Sequence, residues 1–179
     1  MTRKGRPRLN ANASVGEVYR TVAMGGTFDA FHNGHKKLLK KAFAVGREVM
    51  IGVTTDAFAK SLHKPHKIDL FTKRKSDLES VLRRWGVLPR ARIVALHDRY
   101  GPTLTSSRIG AIVVSRRTIR TAYEINTKRR ARGLKPLDIV PIPLVLADDR
   151  RPISSTRIRR GRIDRRGRLM RSNRAARHH

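Results

Sequence analysis

Apolar residues recur along this chain in two alternating rhythms. Tyr19 to Met24 is a short apolar run ending at Gly25-Gly26, the pattern of a buried strand followed by a tight turn. From Gly34 onward, Leu38, Leu39, Ala42 and Phe43 recur at helical spacing, with Lys36, Lys37, Lys40 and Lys41 on the other faces and Gly46 placed to stop the helix. Val49 to Thr54 reads as a second buried strand, so that strand, helix and strand make a parallel crossover. Residues 55–70 read as a long polar loop. A helix is then predicted over 72–85, where Leu78, Val81, Leu82 and Trp85 form one stripe. Strands follow at 92–96 and 111–115, then a helix over 118–132 stopped by Gly133, and a strand at 137–141. A short helix over 154–160 opens on Ser154-Ser155-Thr156, a good N-cap cluster, and stops at Gly161. The alternation predicts an α/β fold: a Rossmann-like, doubly wound sheet of about five parallel strands with flanking helices.

Composition narrows the class. The 179 residues suffice for one packed domain, assigned to 19–168; residues 1–18 read as a flexible basic leader and 169–179 as a basic disordered tail. No apolar run reaches the roughly eighteen residues of a membrane span, and the N-terminus lacks a secretory stretch, so a cytoplasmic protein without membrane contact is expected. The chain has no cysteine, which excludes disulfides, thiolate catalysis and cysteine-based zinc sites. Lys and Arg number 42 against 13 Asp and Glu, a net charge of +29, and residues 150–179 alone carry twelve basic side chains and one acidic. Such a segment offers non-specific contact to polyanions. A dedicated RNA-binding module is the rival reading, but aromatic residues are only 5% of the chain and no RNA-recognition or zinc motif is present, so stacking platforms are scarce.

In open α/β sheets, ligands sit at the carboxyl ends of the strands. The first such end here reads Gly25-Gly26-Thr27-Phe28-Asp29-Ala30-Phe31-His32-Asn33-Gly34-His35. Two glycines allow close backbone approach, and His32 and His35 straddle a helix start, where backbone N–H groups favour phosphate; together they read as a phosphate cradle. The other ends carry Ser115-Arg116-Arg117-Thr118 and Asp148-Asp149, the latter leading into Ser154-Ser155-Thr156.

Gly26-Thr27-Phe28-Asp29 followed by His32-Asn33-Gly34-His35, with Ile153-Ser154-Ser155-Thr156-Arg157-Ile158 about 120 residues later, resembles the nucleotidyltransferase superfamily that shares its H-x-G-H element with class I aminoacyl-tRNA synthetases. The synthetases lack support, since no Lys-Met-Ser-Lys-Ser segment is present. Within the superfamily, residues 20–168 are most similar to the archaeal and eukaryotic branch of phosphopantetheine adenylyltransferases. That similarity includes Val113-Val114-Ser115 with Thr118, Ile125-Asn126 with Arg129, Ala147-Asp148-Asp149 and Gly161-Arg162-Ile163-Asp164. One position departs. Where that branch carries Glu, this chain has Arg117, either surface drift or a changed nucleotide contact.

The resemblance implies transfer of AMP from ATP to 4′-phosphopantetheine by direct attack, giving dephospho-coenzyme A and pyrophosphate; nicotinamide mononucleotide and flavin mononucleotide are the alternative acceptors. It implies catalytic roles for His35 and Lys60. ATP contacts fall to Gly25, Gly26, Thr27, Phe28, His32, His35, Ser115, Thr118, Ser154, Ser155, Thr156 and Arg157, and acceptor contacts to Thr27, Lys60 and Arg74, with Lys64 the rival of Lys60. Mg²⁺ is expected on the ATP phosphates rather than on a protein site built from Asp29, Asp148 or Asp149. A monomer is the expected state.

Overall fold

The computed structural model describes residues 19–170; the proposed leader, and the tail beyond Met170, lie outside the described residues. Five strands form one sheet: β1 (Tyr19–Gly26), β2 (Gly46–Thr54), β3 (Ala91–Leu96), β4 (Ile109–Ser115) and β5 (Asp138–Ile142). The order is β3-β2-β1-β4-β5 and every pairing is parallel. The expected α/β class and strand number are thus found.

Alternate residues of β1 serve opposite faces, as the two-residue period of a strand requires. Val22 and Met24 pack with Leu38, Leu39 and Ala42 of α1 (Asn33–Val45) and Leu78, Val81 and Leu82 of α3 (Phe71–Arg84). Ala23 packs on the other face with Ile112, Val114 and Ile139 and with Ala122 and Ile125 of α4 (Ile119–Ala131). Fully buried strands of this kind read as continuous apolar runs, which is why their boundaries were legible.

The 55–70 region is the main departure from the expected elements. Its first part is a helix, α2 (Asp56–Ser61), capped by the Thr55 hydroxyl, which accepts from the Phe58 N–H at 3.2 Å. Six residues with one buried side chain, Ala59, leave no amphipathic stripe to detect. Gly46 does end α1, but in an extended conformation as the first residue of β2 rather than as a left-handed cap.

Polar residues buried in the sheet's flanks act as struts. Asn126 donates to the Leu137 carbonyl at 2.8 Å and accepts from the Leu137 N–H at 2.7 Å. Arg129 donates to the carbonyls of Lys135, Thr103 and Ser106, satisfying a guanidinium that has no carboxylate beside it. The last element, α5 (Ser155–Arg159), brings the second motif back to the first. The direction in which successive strands are added reverses between β1 and β4, and the crevice this opens above their carboxyl ends is where both motifs meet.

Candidate active site

A cavity of about 540 Å³ occupies that crevice. Its floor is backbone at Gly25 and Gly26, where β1 runs out of the sheet. Thr27 follows, and then the chain turns sharply: Phe28 and Ala30 have φ of 55° and 44°, a left-handed conformation that costs about 1–2 kcal/mol at each non-glycine residue. Two fixtures hold this turn. Arg74, buried under it, donates to the Thr27 carbonyl at 2.8 Å, the Asp69 carbonyl at 2.7 Å and the Asp56 carboxylate at 2.9 Å. Asp29, wholly buried, receives Arg159 at 2.6 Å and 3.3 Å and the Asp69 N–H at 3.1 Å, while the Ser155 hydroxyl donates to its carbonyl at 2.9 Å. Arg159 also bridges to Asp69 at 2.7 Å, and His66 Nε2 lies 3.3 Å from the Asp29 carboxylate.

The histidines are fixed by reciprocal capping of α1. His32 Nδ1 accepts from the Gly34 N–H at 3.1 Å, and His35 Nδ1 accepts from the His32 N–H at 3.4 Å. The rings stack with centroids 3.8 Å apart. Gly34 is required by this packing, because a Cβ there would meet His32 Cε1 at 2.8 Å and Nδ1 at 2.9 Å. The Asn33 N–H is taken by the Arg165 carbonyl at 3.1 Å, so most of the helix-start amides expected to cradle phosphate are already satisfied within the protein. The imidazoles take over the donor role. With each Nδ1 accepting, the neutral rings carry their proton on Nε2 and line the cavity as donors.

Neutrality is enforced by the surroundings. Burial, then the positive charges of Arg117 and Lys64, push His32 down to about 4 against the opposing pull of Asp29. His35 is held well below the usual histidine range by burial, by His32 and by Lys64. Lys64 is itself lowered, first by burial and then by Arg74 and Arg117, with Asp29 opposing. We expect the His32 ring in the free protein, followed by NMR, to titrate near pH 4; an inflection near the ordinary 6.5 would show that the ring is not held in this environment.

Of the residues anticipated from sequence, Gly25, Gly26, Thr27, His32, His35, Ser115, Thr118, Ser154, Ser155 and Thr156 all line the cavity. Phe28, Lys60, Arg74 and Arg157 do not. Phe28 is buried, with its ring 5.1 Å from that of His35. Lys60 is exposed in the last turn of α2, whereas Lys64 lines the cavity and donates to the Thr27 hydroxyl at 3.3 Å. Arg74 is the buried strut described above. Arg157 turns away to the Asp149 carboxylate at 2.5 Å and the carbonyls of Arg151 and Pro152. A guanidinium is long enough to serve either role, and here the nearer carbonyls and carboxylates of the fold take it.

Comparison with known proteins decides the family. The cytidylyltransferase-like family model matches residues 23–161. A phosphopantetheine adenylyltransferase of Methanothermobacter thermautotrophicus is 49% identical over 158 residues, covering 88% of this chain and 94% of that protein. One from Methanopyrus kandleri is 46% identical over 146 residues, covering 82% and 92%. The chain belongs to the phosphopantetheine adenylyltransferase family. Among solved structures, an Archaeoglobus fulgidus protein described as of unknown function superposes with a TM-score of 0.62 at 35% identity, covering 68% of this chain and 88% of that one. A bifunctional NMN adenylyltransferase/ADP ribose pyrophosphatase from Francisella tularensis, 17% identical with a TM-score of 0.55, shares the fold.

The polar lining of the cavity is imidazole, hydroxyl, lysine, arginine and backbone. No Asp or Glu lines it; its charged side chains are Lys64, Arg99 and Arg117. The donor set suits anions, and none of the carboxylate oxygens that Mg²⁺ favours lines the cavity. Asp29 and Asp149 are engaged by arginines, and Asp148 accepts from the Leu169 N–H at 3.3 Å. Arg159 is the functional-region residue that sequence reading missed. It stands amid a run of arginines, and only its spacing of two from Arg157 hinted at a different face of the short helix.

Proposed function

We propose that this protein transfers AMP from ATP to 4′-phosphopantetheine, releasing pyrophosphate and forming dephospho-coenzyme A. The observation that carries this reading is the convergence of both family motifs on one cavity furnished with imidazole, hydroxyl, lysine and backbone donors and no carboxylate. A phosphate oxygen of the acceptor attacks the α-phosphorus of ATP, the new P–O bond forms as the bond to the β-phosphate oxygen breaks, and pyrophosphate leaves with the electron pair. The acceptor is already a nucleophile, so alignment and stabilisation of developing charge suffice.

The nucleotide takes the β4–β5 side, with Ser115 and Thr118 toward adenosine and Ser154, Ser155 and Thr156 toward the phosphates. The acceptor takes the β2–β3 side, where Lys64 and Thr27 meet its phosphate and the apolar flank of Met50, Phe58 and Leu96 follows its arm. His32 and His35, at the end of the central strand, stand where the two substrates join. Mg²⁺ enters with ATP as part of the substrate, held by its phosphates and water. One chain supplies every group, so a monomer suffices, and we read its location as the cytoplasm; among the described residues no helix is long and apolar enough to cross a membrane.

Pyrophosphate release with Mg²⁺-ATP, offered separately 4′-phosphopantetheine, nicotinamide mononucleotide and flavin mononucleotide, tests the reading. Release with 4′-phosphopantetheine alone supports it; preference for either mononucleotide overturns the acceptor. The same assay separates the two lysines. Lys64→Ala should raise KM for 4′-phosphopantetheine roughly 10- to 100-fold, the worth of a charge-assisted contact, and Lys60→Ala should leave it unchanged. The reverse pattern would return the acceptor contact to Lys60.

A further inference from the structure

We propose that Arg117 reads the β- and γ-phosphates of the incoming nucleotide, so that this one side chain accounts for most of the preference for a nucleoside triphosphate over the monophosphate. The proposal rests on the adenylyl-transfer reading above and deepens it by assigning the phosphate tail to a residue of the β4–α4 turn.

The described arginines in and around the cavity differ in what holds them. Arg74, Arg129, Arg157 and Arg159 have their guanidinium groups taken up by carbonyls and carboxylates of the fold. Arg99, at the cavity, faces Glu124 at 3.8 Å. Arg117 differs from all of these: it lines the cavity, its side chain is exposed, and among the described residues its guanidinium has no hydrogen-bond or ion-pair partner. Its backbone is nevertheless fixed. The Thr118 N–H donates to the Ser115 carbonyl at 3.0 Å, and the Ser115 N–H to the Thr118 hydroxyl at 3.1 Å, closing the turn that presents it. A long side chain without a partner, on an anchored turn, at the rim of a cavity with no carboxylate, is a cation waiting for an anion.

Position selects which anion. Arg117 leaves the end of β4, on the same side of β1 as β5 and the segment leading into Ser154–Thr156, whereas Lys64 and its Thr27 contact follow from the β2 side. Arg117 therefore stands on the nucleotide side of the central strand, across the cavity mouth from Lys64. The groups that occupy that place in a bound ATP are the β- and γ-phosphates. A guanidinium can take two of their oxygens at once.

Equilibrium binding of ATP and of AMP, each with Mg²⁺ and without acceptor, tests this in wild type, Arg117→Ala, Arg117→Lys and Arg116→Ala. Arg116 is an exposed neighbour that does not line the cavity. Arg117→Ala should raise the Kd for ATP roughly tenfold and leave that for AMP unchanged, Arg117→Lys should fall between, and Arg116→Ala should match wild type. Equal weakening of ATP and AMP would put Arg117 on the nucleoside or α-phosphate and overturn the proposal. So would unchanged nucleotide binding, or weakening of 4′-phosphopantetheine binding alone. No turnover is needed, so a wild-type chain that releases no pyrophosphate with 4′-phosphopantetheine but keeps the ATP-specific loss would overturn the acceptor assignment and support Arg117.

Discussion

On the proposed reading, alanine in place of His35 should lower kcat by roughly 10²–10³-fold and change KM for ATP by a few-fold at most, as when one preorganised donor to an oxyanion is removed. The expectation follows from how the ring is held. Its Nδ1 accepts from the His32 N–H, its faces meet Phe28 at 5.1 Å, Phe31 at 5.5 Å and His32 at 3.8 Å, and its low proton affinity keeps it a neutral Nε2–H donor. A donor locked in this way does not reorganise as charge grows on the α-phosphate, so its contribution is largest in the transition state. Loss of one capping contact costs about 1 kcal/mol of stability, which a parallel melting experiment would register separately. Equal losses in binding both substrates, with kcat unchanged, would remove His35 from the chemical step.

Asp29→Asn is expected to lower the unfolding free energy by about 2–4 kcal/mol, somewhat less than the roughly 3–5 kcal/mol for one partner of a fully buried ion pair, because Arg159 is 30% exposed. The carboxylate is wholly buried and serves Arg159, the Asp69 N–H and His66 together. Burial alone would raise its pKa; the Arg159 hydrogen bond and charge, the Asp69 N–H and His66 outweigh burial and hold it below the usual carboxylate value. A depressed folded-state pKa contributes stability that is fully present above the unfolded value of about 3.9 and is lost as pH falls through the lower folded value. Urea unfolding of wild type and variant should therefore show a gap that is constant at neutral pH and narrows below about pH 4. A gap of under 0.5 kcal/mol at neutral pH would mean that Arg159 and Asp69 hold the turn without Asp29.

The sheet and its long helices were legible because burial on both sides imposes a periodicity that survives in the order of residues: Val22 and Met24 for one face, Ala23 for the other, and the Leu78-Val81-Leu82 stripe for α3. Most of the anticipated site residues line the cavity too, since the strand ends carry them. What escaped was decided by tertiary geometry. The helix α2 buries a single residue, so its pattern was that of a loop, and the sequence did not show that Lys64 lines the cavity while Lys60 is exposed. Arg74, Arg117, Arg157 and Arg159 are one residue type in four settings: a buried strut, a partner-free cation at the cavity, a loop brace and a motif-to-motif clamp. Nothing local distinguishes them, because the partners of Arg74, Arg157 and Arg159 lie 5 to 130 residues away along the chain and Arg117 has none among the described residues.

The clamp between the two motifs also sets a timetable. The Ser155 hydroxyl meets the Asp29 carbonyl across 126 residues and Arg159 meets the Asp29 carboxylate across 130. On a ribosome, the turn at Phe28–Ala30 emerges early, with two residues in an unfavourable conformation and the groups that restrain them not yet made. Native contacts of such long range close slowly and last. The nascent chain can therefore assemble its sheet while that turn stays unset, and the wall of the cavity is complete only when the final helix docks.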